Sequence, residues 1–168
     1  MQINGIPVTR ALSEIPDGKA GIIATLKAMR GLVRTSKTSV PVRTLALRIV
    51  GGVKGKDWPG EARAVHNWVR DNIRFVRDVT DVETLHDAER VLMFGQGDCD
   101  DKSILFAALM ESIGHPTRFV AVGFAPDVYE HVFSETLIGT RWIPSDTTEP
   151  REFGWAAPDT VSRLVIYN

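Results

Sequence analysis

The sequence predicts an α+β domain in which a central helix packs on an antiparallel sheet. Three observations lead there. Helical patterns fill the first two thirds of the chain and strand patterns the remainder, the element order of an α+β fold. Ile104 to Met110 is the most apolar stretch, too uniform for a helix with a solvent face. Two strand-like runs, 130–138 and 141–145, flank Gly139-Thr140, a two-residue hairpin signal. With 168 residues, 43% of them apolar, the chain can bury a full core.

Residues 1–16 read as irregular, interrupted by Pro7 and Pro16. From Asp17 to about Arg34, Ile22, Ile23, Leu26, Met29 and Val33 recur at helical spacing. A second helix is expected from Pro41, where proline suits a first turn, to Val50. Gly51-Gly52-Val53-Lys54-Gly55-Lys56 is the most linker-like stretch, which sets a boundary near residue 56 between a basic helical arm (1–56) and a core domain (57–168). Asp57-Trp58-Pro59-Gly60-Glu61 opens a third helix whose apolar face is Ala62, Val65, Trp68, Val69 and Ile73. Thr84-Leu85-His86-Asp87 has the form of a capping box, with Asp in place of Glu, before a short helix at 88–92. Strands are expected at Arg118–Phe124, Glu130–Ile138, Arg141–Ser145 and Leu164–Tyr167.

The single cysteine sits where chemistry is expected. Asp98 is a good N-cap, because its carboxylate can accept from the free N–H groups of the following turn. Cys99 is then the first helical residue, at the positive end of the helix dipole. Asp98, Asp100 and Asp101 oppose ionisation of its thiol. The helix is expected to end at Gly114, ahead of Pro116. In the hairpin, a turn at Gly139-Thr140 sets Ile138 opposite Arg141, so His131, Phe133 and Glu135 share a face with Trp142, Pro144 and Asp146. His131 and Asp146 become diagonal neighbours, within reach of one another. Pro144 has no N–H to give a ladder, which points to an edge strand. A thiol, an imidazole and a carboxylate are the parts of nucleophilic acyl transfer.

Gly97-Asp98-Cys99-Asp100-Asp101, the following apolar helix and Gly114 resemble the nucleophile segment of the transglutaminase-like superfamily. His131-Val-Phe-Ser-Glu135 is similar to that family's His-x-Trp-x-Glu strand, and Trp142-Ile-Pro-Ser-Asp146-Thr147 to its Trp-x-x-x-Asp-x-Thr segment. The helix ending Asn72-Ile73-Arg74-Phe75 fits the family's preceding helix, so the resemblance spans roughly residues 58–148. It implies a papain-like fold, with the Cys helix packed on the sheet that carries His and Asp. It further implies Cys99 as nucleophile, His131 as general base and acid, and Asp146 as the group that orients the imidazole. Phe133 stands where the family has Trp, a departure that bears on the substrate channel. For the oxyanion, the backbone N–H of Cys99 is the first candidate donor, with side-chain support from Gln96 or Trp68 left open. The implied activity is a cysteine peptidase or amidohydrolase acting on a peptide or protein. The Cys-Asp-Asp-Lys-Ser run is also similar to that of small members encoded among tailed-phage structural genes. This implies an alternative, a structural or interaction module of a virion or tail assembly.

Composition limits the other readings. Residues 1–56 carry ten Lys/Arg against Glu14 and Asp17, a net of +8, and the remainder carries ten against nineteen, a net of −9. The arm is expected to pack on its own acidic body or to contact assembly partners. Nothing interleaves aromatics with its basic residues, so nucleic acid is not expected. No basic start with an apolar core marks a signal peptide, and no run reaches the roughly 18 apolar residues of a membrane span. A soluble, cytoplasmic protein is expected, or a virion-associated one. Cys99, His131 and Asp146 could each ligate zinc, yet no Cys-x-x-Cys or His-x-x-x-His pair accompanies them, so neither metal nor cofactor is expected. His66, His86 and His115 read as ordinary surface or capping residues.

Overall fold

A computed structural model describes residues 9–12, 18–77 and 83–167. The elements run β1 (Thr9–Leu12), α1 (Gly18–Ser36), α2 (Val40–Val50), α3 (Trp58–Asn72), β2 (Arg74–Phe75), β3 (Glu83–His86), α4 (Ala88–Phe94) and β4 (Gln96–Gly97). They continue with α5 (Cys99–Ser112), β5 (Thr117–Gly123), β6 (His131–Ile138), β7 (Arg141–Ser145) and β8 (Ser162–Tyr167). β5 to β8 form one antiparallel sheet in the order β7-β6-β5-β8. The fold is thus α+β, with the expected antiparallel sheet.

The hairpin has the expected register. Ile138 faces Arg141, Leu137 faces Trp142, and the pairing runs on to Ser134 and Ser145. Gly139 holds φ +63°, the left-handed geometry that this turn needs and that glycine tolerates best. β7, with Pro144, is an edge strand.

α5 is the hub, because every residue from Asp100 to Met110 is buried. On one side Leu105, Phe106 and Leu109 pack with Val42 and Ala46 of α2, Val65 and Val69 of α3 and Val91 of α4. On the other, Ile104 and Ala107 meet Leu26, Met29 and Val33 of α1, and Phe119 and Val132 of the sheet. Burying each large apolar side chain contributes roughly 1.5–3 kcal/mol. The turn at residues 51–57 lies where a domain boundary was expected, yet the helices before it share both cores with the elements after it. Lys37 of the basic segment pairs with Glu111 at 2.8 Å, and Arg43 donates to the Ser112 carbonyl.

Other expectations are corrected. β1 pairs with β3 inside a segment read as irregular; the rest of that reading, at 1–8 and 13–16, lies outside the described residues. Thr84 belongs to β3 rather than to a capping box; Asp87 itself caps α4, accepting from the Arg90 N–H at 2.8 Å. β2 and β4 form a parallel pair that no sequence signal announced.

Because the helices before residue 56 cover α5, a chain lacking 1–56 is expected to lose its cooperative urea transition, followed by far-UV circular dichroism. In the intact chain, Leu109→Ala is expected to cost about 2–5 kcal/mol in the same measurement.

Candidate active site

The first turn of α5 is held by polar anchors. Asp98 caps it as expected, its Oδ1 accepting from the Asp101 N–H at 3.0 Å. Asp101 accepts from the backbone N–H of His86 and meets the His86 Nδ1, both at 2.9 Å, which ties β3 to the helix. Gly97 is required by this packing: a Cβ there would lie 2.6 Å from the Asp101 Cβ. Cys99 is the first residue of the helix and is half-buried. Its thiol donates to Asp100 Oδ1 at 3.6 Å. Burial pushes this thiol well above its ordinary value, and the carboxylates of Asp100 and Asp98 push it further. A hydrogen bond from the backbone N–H of Val132 acts in the opposite direction. At rest the sulfur is therefore a thiol.

That amide belongs to the start of β6, where Val132 follows His131. One turn along α5, the Ser103 hydroxyl donates to the Val132 carbonyl at 3.4 Å, and Ser134 donates to the Ser103 carbonyl at 3.0 Å. The head of α5 is thus fastened along β6. His131 Nε2 lies 2.6 Å from Asp146 Oδ2. Asp146 is 1% exposed, and its other oxygen accepts from the Thr148 N–H at 3.1 Å and hydroxyl at 2.6 Å. Burial alone would raise the Asp146 carboxyl, but the hydrogen bonds and charge of His131, with Thr148, outweigh it and hold the group below its usual range. An ionised carboxylate only accepts, so the shared hydrogen belongs to Nε2, and in the neutral form of the ring the lone pair is on Nδ1. Phe133 is buried, with its ring 6.2 Å from that of His131.

Gln96 and Trp68 are the side-chain candidates for oxyanion support. Gln96, in β4, accepts from Arg74 at 2.6 Å. Trp68 packs against the helical core. Among the described residues, no group of three His, Cys, Asp or Glu is placed to hold a metal ion, and no helix is long and apolar enough to cross a membrane.

Three histidines are more engaged than expected. His66 is fully buried, with Nδ1 2.9 Å from Ser145 Oγ and Nε2 3.0 Å from the Arg151 carbonyl. The carbonyl can only accept, so Nε2–H donates to it and the Ser145 hydroxyl donates to Nδ1. Burial holds this imidazole below its ordinary value and neutral. It thereby braces the end of β7 next to Asp146. Its position between Val65 and Val69, four residues after Ala62, already put it on the inward face of α3. His86 and His115 each meet a carboxylate, Asp101 and Glu61, the latter at 2.6 Å. Lys102, which the sequence reading took only as part of the Cys-Asp-Asp-Lys-Ser run, is 2% exposed and donates to the Ile73 carbonyl at 2.6 Å.

The depressed Asp146 carboxyl fixes the sign of an acid effect. Its stabilising contribution is present above the unfolded-state value, about 3.9, and is lost as pH falls through the lower folded value. The wild-type urea midpoint is therefore expected to fall more steeply below about pH 4 than that of Asp146→Asn.

The sequence profile of the transglutaminase-like superfamily matches residues 43–147. The match begins within α2, upstream of Trp58, and so takes in part of the segment that the sequence reading set outside the resemblance. No curated protein matches the sequence. Among solved structures, the chain is similar to a candidate cysteine protease from Cytophaga hutchinsonii, at 20% identity and TM-score 0.55, over 76% of this chain and 46% of that one. It is also similar to a candidate protease from Parabacteroides distasonis, at 12% identity and TM-score 0.56, over 85% of this chain and 29% of that one. These likenesses are of fold, and the chain spans less than half the length of either protein.

Proposed function

The chain belongs to the transglutaminase-like superfamily, and we propose that it catalyses thiol-dependent acyl transfer, as a peptidase or amidohydrolase. Cys99 is the nucleophile, His131 the general base and acid, and Asp146 the group that orients the imidazole. The observation that carries this reading is the His131–Asp146 pair at 2.6 Å at the start of β6, the strand to which Ser103, one turn after Cys99, is hydrogen-bonded at Val132 and Ser134. The descriptions of the two structural neighbours support the peptidase direction.

The chemistry follows from the protonation states. Because the resting sulfur is a thiol, its proton passes to His131 Nδ1 as attack begins, rather than from a preformed ion pair. A C–S bond forms at the substrate carbonyl carbon, and the oxyanion faces the backbone N–H of Cys99, at the open end of α5. The imidazolium, held by Asp146, returns the proton to the leaving amine as the C–N bond breaks. Water then gives a proton to His131 and attacks the thioester; the C–S bond breaks and the thiol is restored. His131 is 21% exposed, so water reaches it, and this favours hydrolysis over cross-linking.

Alkylation by iodoacetamide across a pH series tests the site. Wild-type Cys99 is expected to react faster than the His131→Ala variant where the imidazole is neutral. Identical rates in the two proteins, both those of a free thiol, would sink the reading. On a fluorogenic peptide library, Cys99→Ala is expected to abolish turnover, and His131→Ala to lower kcat/KM about 10³-fold or more.

A further inference from the structure

A lysine in the second turn of a buried helix needs an explanation, because an ammonium removed from water is costly unless it is paired. Lys102 is 2% exposed. An ammonium has three donors, and the bond to the Ile73 carbonyl uses one of them. Among the described residues no carboxylate oxygen lies within 4.0 Å of its Nζ. Burial has drawn the amine down to about 8 even though the more distant charges of Asp146 and Asp71 act to raise it. This is an ammonium short of a counter-charge.

Lys102 also lines a cleft of about 450 Å³, walled by the end of α3, β2 and the segment after β7. The charges around that cleft are unequal. Arg70 grips Asp71 with two hydrogen bonds, at 2.7 and 3.1 Å, so that pair is balanced. Arg74, on the exposed rim, donates to the uncharged Gln96 side chain. Lys102 and Arg74 then stand against Glu149, which is exposed. Thr147 and Thr148, which also line the cleft, directly follow Asp146. Lys102 is three residues from Cys99, about 4.5 Å along the helix axis. The cleft therefore adjoins the nucleophile and its partners without containing them.

We propose that this cleft is a substrate subsite for a carboxylate, anchored by Lys102 at its floor and favoured by Arg74 at its rim. The assignment of that carboxylate to a substrate rests on the acyl-transfer reading; the binding of a carboxylate there does not. A charge-assisted hydrogen bond to the buried ammonium supplies the missing partner. The carboxylate is either the C-terminus of a peptide or an acidic side chain, and the two are separable by experiment.

The test uses the full chain carrying Cys99→Ser, so that bound peptide stays uncut, with calorimetry of three probes. These are N-acetyl-trialanine with a free C-terminus, the same peptide as its amide, and N-acetyl-Ala-Glu-Ala-amide. One of the two acids is expected to bind about tenfold or more tighter than the neutral amide, and which acid does so identifies the source. Lys102→Met is expected to abolish that gap. Arg74→Ala, which leaves the buried residues untouched, is expected to narrow it roughly two- to fivefold, so the outcome does not hang on how Lys102→Met folds. Equal binding of acids and amide, no binding of any probe at millimolar concentration, or a gap that survives both substitutions overturns the subsite. A Cys99 no more reactive than a free thiol together with an intact gap overturns the acyl-transfer reading instead and leaves the subsite standing.

Discussion

A helix without a solvent-exposed face is stable only if something covers it on every side, and α5 is such a helix from Asp100 to Met110. The architecture follows from that constraint. α2, α3 and α4 close one flank with their apolar stripes, and α1 and the sheet close the other. The basic helices of the first third are therefore not an appendage. Their charged residues lie outward while Leu26, Met29, Val33, Val42 and Ala46 complete the cover.

The same constraint makes the head of α5 an electrostatically demanding place. Asp100, Asp101, Lys102 and Ser103 are all buried there. Asp101 is balanced by His86, and Ser103 by the carbonyl of Val132. Cys99 and Lys102 bear the imbalance in opposite senses: burial keeps the thiol protonated and makes the ammonium easier to deprotonate. In both groups the same removal from solvent disfavours the charged form. What distinguishes them is what lies opposite, a strand that carries His131 for one and an open cleft for the other.

Much of this was legible in the residues, for identifiable reasons. The turn at Gly139-Thr140 and the two-residue period of strands place His131 and Asp146 together with no other information. The uniform apolarity of Ile104–Met110 announces a buried helix, and Asp98 announces its start. The pairings β1–β3 and β2–β4 were not legible, since two to four residues show no alternation and each strand's partner lies far along the chain. His66 was misjudged by residue type. The spacing of Ala62, Val65 and Val69 turned it inward, while Ser145 and Arg151, which satisfy its nitrogens, are some 80 residues away. Lys102 escaped for a related reason: its burial comes from the end of α3, which nothing in its own neighbourhood reveals.

The order of strands carries a consequence for synthesis. β5 pairs on one edge with β6, the next strand to be made, but on its other edge with β8, which begins about 40 residues later. At ribosomal speeds that interval is roughly 2–8 s, long compared with the microseconds in which a hairpin closes. α1 also waits, since Arg30 reaches the Tyr167 carbonyl of β8. While the chain is still being made, β5–β7 can close on the Cys helix, but one sheet edge stays open to any passing strand until β8 arrives.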